Sequence, residues 1–171
     1  CGAGGNAFNF LMQHERMEFP EAVEYLARKY GIVLPDKERN VHAVSGSVSQ
    51  VYKINELAAE FYTGILHTPG SREAHNYLDK RGIKPETAKS FRLGFAAAQW
   101  DGLVKHLQAK KIDLAAAEKA GVILTGQNKK FYDRFRERII FPICDVKGLV
   151  LGFGARTLLQ DVTGPKYLNS P

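Results

Sequence analysis

Residues 131–171 constrain the fold more than any other part of the chain, because they contain the pattern of a β-hairpin. An apolar run at 139–143 is followed by the sequence DVKG at 145–148, whose polar residues and glycine are typical of a tight turn. Residues 149–156 then alternate in character and are predicted to form the returning strand. The sequence therefore predicts two antiparallel strands near the end of the chain.

The returning strand separates by parity into two faces. One face is predicted to contain the large apolar residues Leu149, Leu151 and Phe153. The other is predicted to contain Val150, Gly152, Gly154 and Arg156. Glycines inside a strand often mark the close approach of another chain, and the arginine beyond them suits a phosphate-bearing polymer or nucleotide. A β-bulge or a barrel bend with a surface arginine is the alternative, and the spacing does not decide between these interpretations.

Three arginines precede the hairpin at alternate positions, Arg134, Arg136 and Arg138. In an extended backbone, their side chains would all project from one face of the strand, which is predicted over 129–136 and continues beyond it. Alternatively, Arg136 and Arg138 pair with Glu137 and Asp133 and have a structural role.

The upstream sequence is predicted to be mainly helical, because apolar residues recur at helical spacing between capping residues, prolines and glycines. Helices are predicted after Asn6, from Pro20 to Gly31, from Ser49 to about Thr68, and in shorter pieces over 71–82, 85–92, 101–107 and 113–120. Tyr30 is assigned to an apolar face, and Ser49 and Asp101 to helix caps. Residues 35–48 lack sustained periodicity and are predicted to be a linker. The fold class is α+β: a helical N-terminal part followed by a small antiparallel sheet with helices packed on it.

Composition supports a globular chain that meets polyanions. Of the 171 residues, 44% are hydrophobic and 25% charged, and the net charge is +6. Residues 125–171 contain eight Lys and Arg against four Asp and Glu, so the positive charge is concentrated around the hairpin.

No catalytic triad, metal cluster or phosphate-binding glycine loop can be assembled from the sequence. Asp133, Asp145 and Asp161 are interpreted as turn or ion-pair residues. Trp100 is interpreted as an apolar staple onto the core, and Cys144 as a small buried residue.

Three strings, YDRFRERIIFPI, GLVLGFGAR and PKYLNSP, resemble the N-terminal part of the catalytic core of DnaG-type bacterial primases. The block YLDKRGIKPETAKSFRLGFAAAQWDGLVKHL follows the order found in that family, and CGAGGNAFNFL resembles the end of its zinc ribbon. The resemblance covers nearly the whole chain. One departure is Ala155, where many members have glycine.

The resemblance implies a domain organisation and a set of metals. Residues 1–34 would be the last helices of a truncated zinc-binding domain, 35–48 a linker, and 49–171 the N-terminal subdomain of the RNA polymerase core. We expect the chain to be a fragment in which Cys1 is the last zinc ligand of an incomplete site. Magnesium or manganese would be bound by a TOPRIM domain that follows this segment in the family and is absent here, so no catalytic residue is expected in this chain.

The resemblance also implies the function. DNA primase synthesises short RNA primers on single-stranded DNA, and this part would supply the basic face that binds template and nucleotide. The residues implied for that face are Arg81, Arg134, Arg156, Lys166, Tyr167 and Asn169. Implied partners are the single-stranded DNA template, ribonucleoside triphosphates, the RNA–DNA hybrid and a replicative helicase, in the bacterial cytoplasm and without a membrane. Alternatives are a non-catalytic module that binds single-stranded DNA, and the primase part of a phage or plasmid primase-helicase.

Overall fold

The structure is a computed structural model that describes residues 5–15, 17–32, 46–159 and 164–171, with the backbone alone for 46–48. The chain divides into two compact units, Cys1–His42 and Ala43–Pro171, each of which is described by itself. Cys1, Asp161 and most of the predicted linker lie outside the described residues. The assignment of 1–34 and 49–171 to two primase domains stays a prediction.

The first unit contains two helices, α1 (Ala7–His14) and α2 (Phe19–Lys29). Asn6 caps α1 as predicted, because its side-chain oxygen accepts a hydrogen bond from the Asn9 backbone N–H at 3.0 Å. The two helices pack around Leu11, Met17 and Ala22. Tyr30 was wrongly assigned to the apolar face: α2 ends at Lys29, and the Tyr30 side chain is exposed.

The second unit is built on a long central helix, α3 (Gly46–Leu66). Four shorter helices follow it: α4 (Arg72–Lys80), α5 (Pro85–Ser90), α6 (Gly102–Ala109) and α7 (Leu114–Lys119). Helix α3 begins before Ser49, so the predicted cap at that residue is wrong, and residues 46–48 are helical rather than linker. Its buried face consists of Ile54, Asn55, Ala58, Ala59, Tyr62 and Leu66, which recur at helical spacing.

Two antiparallel sheets pack against these helices. The larger has the strand order β1 (Gly94–Ala96), β4 (Arg138–Cys144), β5 (Val150–Thr157) and β6 (Tyr167–Asn169). The smaller pairs β2 (Ile123–Thr125) with β3 (Phe131–Asp133). Strand β1 crosses α3 so closely that a Cβ atom on Gly94 would lie 2.5 Å from the Tyr62 Cβ atom. The α+β fold class with helices on a small antiparallel sheet is confirmed.

The predicted hairpin is present, and its turn follows the predicted chemistry. The Asp145 carboxylate accepts hydrogen bonds from the backbone N–H groups of Lys147 and Leu149 at 2.9 and 2.8 Å. Gly148 has a φ of 82°, a conformation that favours glycine. The interpretation of Asp145 as a turn residue is confirmed. Cys144, at the end of β4, is exposed rather than buried, because the hairpin tip extends beyond the core.

The predicted two faces of β5 are interrupted by a β-bulge. Cys144 pairs with Val150 and Ile143 with Gly152, so Leu151 has no partner on β4. An extra residue in one strand of an antiparallel pair shifts the side-chain alternation by one position. The bulge was the alternative that the sequence left open.

The bulge places Val150 and Phe153 together in the core, although their spacing predicts opposite faces. Phe153 is 0% exposed, whereas Leu149 and Leu151 are 42% and 44% exposed, so these three residues do not share a face. The buried side chain of Asn55 donates hydrogen bonds to the carbonyl groups of Val150 and Leu151 at 3.2 and 2.9 Å. Helix α3 therefore supplies donors to the irregular part of β5.

The glycine-lined face is partly covered by the chain itself. A Cβ atom on Gly152 would lie 2.5 Å from the Ser170 hydroxyl oxygen, which accepts a hydrogen bond from the Phe153 N–H at 2.9 Å. Gly152 therefore makes room for the C-terminal segment rather than for another polymer. At Gly154 an added Cβ would have only ordinary contacts, the nearest being Asn169 at 3.6 Å.

The three alternating arginines do not share a strand face. Strand β3 ends at Asp133, β4 begins at Arg138, and Glu137 between them has a φ of 52°. This left-handed residue breaks the extended backbone that the alternation requires. The side chains of Arg134, Arg136 and Arg138 consequently contact three different parts of the unit, and the prediction of one face is wrong.

The carboxylate that caps α6 comes from a distant strand. Asp101 occupies the N-cap position, but its side chain makes no capping hydrogen bond. The buried Asp133 carboxylate instead accepts hydrogen bonds from the backbone N–H groups of Leu103 and Val104 at 2.8 and 3.0 Å. Asp133 is therefore neither a turn nor an ion-pair residue. Burial raises the pKa of its carboxyl group, against the opposing effect of the two N–H donors.

Candidate nucleic-acid interface

Arg156 lies between two tyrosines on one face of the larger sheet. It stands directly opposite Tyr167 in the pairing of β5 with β6, and cross-strand neighbours of this kind are in side-chain contact. Its Nε donates to the Tyr167 hydroxyl at 3.3 Å, and its Nη1 donates to the Tyr77 hydroxyl. The guanidinium carbon is 4.6 Å from the centre of the Tyr77 ring and 5.7 Å from that of Tyr167.

The C-terminal cap residue of α4, Arg81, brings a second guanidinium group to the same tyrosine. Tyr77 and Arg81 are four residues apart, a spacing that places side chains on one helix face. The Arg81 guanidinium carbon lies 5.4 Å from the centre of the Tyr77 ring. Tyr77 thus contacts both guanidinium groups. We call Tyr77, Arg81, Arg156, Lys166 and Tyr167 the Arg156 cluster.

The Arg156 cluster is electropositive. The pKa of the exposed Tyr167 hydroxyl is lowered, first by its hydrogen bond with Arg156 and then by the charge of that group, with smaller effects of Lys166 and Arg81. In the part of the chain that the structure describes, no ion pair involves Arg81, Arg156 or Lys166. Their charges are therefore held near one another without a neutralising carboxylate there, as an anion-binding surface requires.

Arg138 holds the backbone of the segment that presents Lys166 and Tyr167. Its side chain is buried, and its Nη2 and Nη1 atoms donate to the carbonyl oxygens of Pro165 and Lys166 at 3.0 and 3.4 Å. Burial lowers the pKa of this guanidinium group, and the charge of Arg136 adds to the effect. Arg138 is therefore a positioning residue within the unit, and it forms no ion pair with Glu137 among the described residues.

Arg134 and Asn169 form a second polar contact at the edge strand β6. The Arg134 Nη2 atom donates to the backbone carbonyl of Asn169 at 3.0 Å, while its buried Nε atom has no protein partner in the described part of the chain. The Asn169 side chain is exposed and lies beside Gly154. The structure thus places five of the predicted site residues on or next to β5 and β6, with Arg81 reaching them from α4.

Trp100 is on the surface rather than in the core, so its interpretation as an apolar staple is wrong. Its side chain is 63% exposed. The Arg136 guanidinium carbon lies 4.0 Å from the centre of the Trp100 ring and 5.5 Å from that of Tyr132. Arg136 also donates a hydrogen bond to the backbone carbonyl of Asp133, not to its carboxylate.

The described residues do not provide a metal site. Within 5–15, 17–32, 46–159 and 164–171, no three His, Cys, Asp or Glu side chains are grouped so that they could hold an ion. The Asp133 carboxylate is occupied by backbone donors, and Asp101 pairs with Lys105 at 2.9 Å. The predicted zinc ligand Cys1 lies outside the described residues. Over the same part of the chain, no helix is long and apolar enough to span a membrane.

Two family models match the chain and together cover most of it. Residues 1–42 match the CHC2 zinc finger, and residues 61–171 match the DNA primase catalytic core, N-terminal domain. The chain belongs to the DNA primase family. The match of residues 1–42 supports zinc as a metal of this family.

Individual primases agree with this assignment. The DNA primase of Pseudomonas aeruginosa is 44% identical over the whole of this chain, which corresponds to 26% of the relative's length. The chain spans about a quarter of the length of the curated primases that it matches.

Solved primase structures have the same fold. The DnaG primase catalytic domain bound to single-stranded DNA superimposes with a TM-score of 0.69 at 38% identity, over 74% of this chain and 40% of the other. The zinc-binding and RNA polymerase domains of the Aquifex aeolicus primase match over 100% of this chain and 40% of the other, with a TM-score of 0.64 at 33% identity.

Two residues of the interface were not recognised from the sequence. Tyr77 occupies an apolar position of the helix predicted over 71–82, and part of its ring packs against a buried cluster. Its spacing from Arg81 was the available signal for a second role. Arg138 gave no such signal, because its acceptors are backbone carbonyls 27 and 28 residues away.

Proposed function

We propose that this chain supplies the face of a DNA primase that binds the single-stranded DNA template and the incoming ribonucleotides. The observation on which the proposal rests is the Arg156 cluster. Two tyrosines orient its arginines, and the structure describes no carboxylate paired with them. Guanidinium groups held in this way can contact phosphate through two parallel hydrogen bonds.

Each predicted site residue has a role in this proposal. Arg81 and Arg156 contact phosphates of the template or of the nucleotide, and Lys166 adds a point charge. The exposed ring of Tyr167 is available to stack on a base or a ribose, and the Asn169 side chain can bond to a base edge or a hydroxyl group. Arg134 supports β6 through its hydrogen bond to the Asn169 carbonyl.

The chemistry of primer synthesis is assigned to other residues. Phosphoryl transfer needs divalent metal ions held by carboxylates, and no suitable group is present in the described part of this chain. We therefore assign the binding of magnesium or manganese to a TOPRIM domain. We assign the binding of a replicative helicase to another part of the primase. The similar DnaG primase catalytic domain was solved with single-stranded DNA bound, which supports the template as ligand.

Binding of a fluorescently labelled single-stranded oligonucleotide to the purified chain tests the proposal. Measured by anisotropy, the affinity should fall as salt rises, and Arg156→Ala should reduce the dependence of log K on log salt by about 0.7, the value for one phosphate contact on a single strand. Arg156→Lys should weaken binding, because an ammonium group cannot replace the planar fork. Arg72→Ala, at an exposed arginine that begins α4, is the matched control.

Two results would contradict the proposal. Unchanged affinity and unchanged salt dependence in Arg156→Ala would show that the Arg156 cluster does not contact phosphate. Primer synthesis by the purified chain with magnesium or manganese and ribonucleotides would show that the metal-binding groups lie in this chain and not in a TOPRIM domain. Binding without synthesis, even when a TOPRIM domain is supplied, would favour the non-catalytic binding module instead.

A further inference from the structure

We propose that one ordered water molecule binds in the core of the second unit, where it accepts a hydrogen bond from the Tyr62 hydroxyl and donates to the side-chain oxygens of Asp133 and Gln99. We call this position the Tyr62 water site. It joins three elements, since Tyr62 lies in α3, Asp133 ends β3 and Gln99 precedes α6. The site stabilises the fold and is independent of the proposed function.

The Tyr62 hydroxyl is a buried donor. The residue is 1% exposed, and its hydroxyl oxygen has no hydrogen-bond partner in the part of the chain that the structure describes. Burial raises the pKa of Tyr62, and the charge of Asp133 adds to the effect, so the hydroxyl keeps its proton. A buried donor without an acceptor is costly, and nearly all such groups bond to protein or to ordered water. The Tyr62 O–H group therefore needs an acceptor that reaches it inside the core.

The hydroxyl cannot move far to find one, because the ring of Tyr62 is fixed by aromatic neighbours. The centres of the Phe61, Phe153 and Phe135 rings lie 5.6, 5.9 and 6.3 Å from its own centre, in edge-on arrangements. Rings packed in this way hold one another in place. The acceptor must consequently come to the hydroxyl.

A small cavity beside Tyr62 has the size and lining of a water site. Its volume of about 10 Å³ is close to the least that holds one water molecule. Polar groups of Tyr62, Asp133 and Gln99 contribute to its lining, together with Gly102 and apolar side chains. Of the lining residues, Gln99 alone is exposed. An internal water needs about two to four polar partners, and this lining supplies them.

Gly102 indicates where the water lies. A Cβ atom at Gly102 would be 3.0 Å from Gln99 Oε1 and 3.5 Å from Asp133 Oδ2, so this point is near hydrogen-bond distance from both oxygens at once. Gly102 is the first residue of α6, and its φ is not in the left-handed region, so the backbone does not require glycine. The missing side chain leaves space for the water instead.

The donors and acceptors match a water molecule. Asp133 Oδ2 already accepts from the Leu103 N–H at 2.8 Å, but a carboxylate oxygen can accept a second hydrogen bond. A water molecule can accept from Tyr62 and donate to Asp133 and Gln99 at the same time. An anion would be repelled by the Asp133 carboxylate, and a cation would leave the Tyr62 proton without an acceptor.

A double-mutant cycle in the full chain tests the site through urea unfolding followed by far-UV circular dichroism. Tyr62→Phe should lower the equilibrium constant for folding about fivefold, the typical effect of one lost hydrogen bond. In the Gly102→Ala background, where the added methyl group displaces the water, Tyr62→Phe should cause no loss. Coupling of this kind requires a shared partner, because the nearest atoms to the added Cβ belong to Gln99, Phe61 and Asp133 and not to Tyr62.

Two control variants lie in α3. Tyr52→Phe removes a hydroxyl from a half-buried tyrosine outside the cavity and should change the equilibrium constant less than Tyr62→Phe does. At Gly64 an added Cβ would meet nothing within 4 Å, so Gly64→Ala shows what alanine contributes to a helix when it displaces no ligand. We expect Gly102→Ala to be less stable than Gly64→Ala.

A crystal structure of the chain locates the water directly. We expect an electron-density peak within hydrogen-bond distance of Tyr62 Oη and Asp133 Oδ2, and its loss in Gly102→Ala. Equal or greater stability of Tyr62→Phe would overturn the proposal, because it would show that the hydroxyl has no partner. Equal losses in both backgrounds would show that Tyr62 donates directly to Asp133. Wild-type density without a water in the cavity would also refute the site.

Discussion

Replacement of Asp133 by alanine should destabilise the second unit more than any change at Asp101. The Asp133 carboxylate is buried and accepts two backbone hydrogen bonds at the start of α6, from Leu103 and Val104. Asp101 occupies the N-cap position without a capping bond and pairs at the surface with Lys105. The sequence places the cap at Asp101, whereas the structure places it at Asp133. The stabilities of Asp101→Ala and Asp133→Ala decide between the two assignments.

The size of the effect follows from the two hydrogen bonds. Asp133→Ala leaves two N–H groups without their acceptor, and each such buried group costs about 1–3 kcal/mol. The variant also removes a carboxylate whose burial is unfavourable, which is why the pKa of this group is raised. Removal of that desolvation cost offsets part of the loss. We expect a net loss of about 2–4 kcal/mol. Asp101→Ala removes an exposed ion pair and should cost less than about 1 kcal/mol.

Urea unfolding followed by tryptophan fluorescence measures the difference. The single tryptophan, Trp100, precedes α6 in the second unit, so it reports unfolding of the unit in which both substitutions lie. The free energy of unfolding is extrapolated to water for wild type and for both variants. A larger loss in Asp101→Ala than in Asp133→Ala would refute the assignment of the cap.

The pH dependence of Asp133→Asn provides an independent check. The folded-state pKa of Asp133 is raised by burial, so this group contributes most to stability below its unfolded pKa of about 3.9, and the contribution is lost as pH rises through the folded value. Asparagine does not titrate. The free energy of unfolding of the wild type minus that of Asp133→Asn should therefore decrease from about pH 4 toward neutrality. A difference that grows with pH would mean that the pKa is lowered instead.

Three further predictions concern Gly152 in β5, Tyr167 in the edge strand β6, and the binding of zinc. Gly152→Ala should cost about 1–3 kcal/mol of unfolding free energy, since its Cβ would lie 2.5 Å from the Ser170 hydroxyl oxygen. In urea unfolding, a second substitution, Ser170→Gly, should recover only part of the loss, because it relieves the clash but also removes the acceptor of the Phe153 N–H. Arg156→Met should raise the pKa of Tyr167, as measured by NMR titration, because the hydrogen bond and charge that lower it are removed, whereas an unchanged value would exclude that contact. Metal analysis of the purified chain should find well under one tightly bound zinc per chain, since a structural site needs four ligands and the described residues contain no group of three His, Cys, Asp or Glu side chains that could hold an ion; a stoichiometric ion would show that other residues complete a site with Cys1.

Local chemistry was sufficient to predict the main elements. The turn at 145–148 is determined by an Asp that bonds to nearby N–H groups and by a glycine with positive φ, both of which act within a few residues. The same holds for Asn6 at the start of α1 and for Asp113, which caps α7 through the Ala115 N–H at 3.1 Å. These signals depend on neighbours in sequence, so the α+β class and most helices could be predicted directly.

The errors arose where long-range contacts override the local pattern. Alternation predicts one face for Arg134, Arg136 and Arg138, but Glu137 adopts a left-handed conformation that the sequence does not indicate. The alternation of side chains between the two faces of β5 is interrupted at Leu151. The bulge there is supported by a hydrogen bond from Asn55 of α3, almost one hundred residues earlier in the sequence. A one-residue shift exchanges the two faces of a strand, so a single bulge is enough to invert the assignment of every residue before it.

The roles of the arginines show why residue type alone could not define the interface. Arg138 is buried and bonds to main-chain carbonyls, so its charge serves to hold β6 in place. Arg156 contacts Tyr77 and Tyr167 instead, which orient a guanidinium group through their hydroxyls and rings without cancelling its charge. A carboxylate partner would orient it equally well but would compete with phosphate for the same donors. We therefore expect Arg156, which is only half-buried beside its aromatic partners, to be available to an incoming anion, whereas the buried Arg138 stabilises the fold. The partner that orients Arg156 most closely, Tyr77, is 79 residues away in sequence.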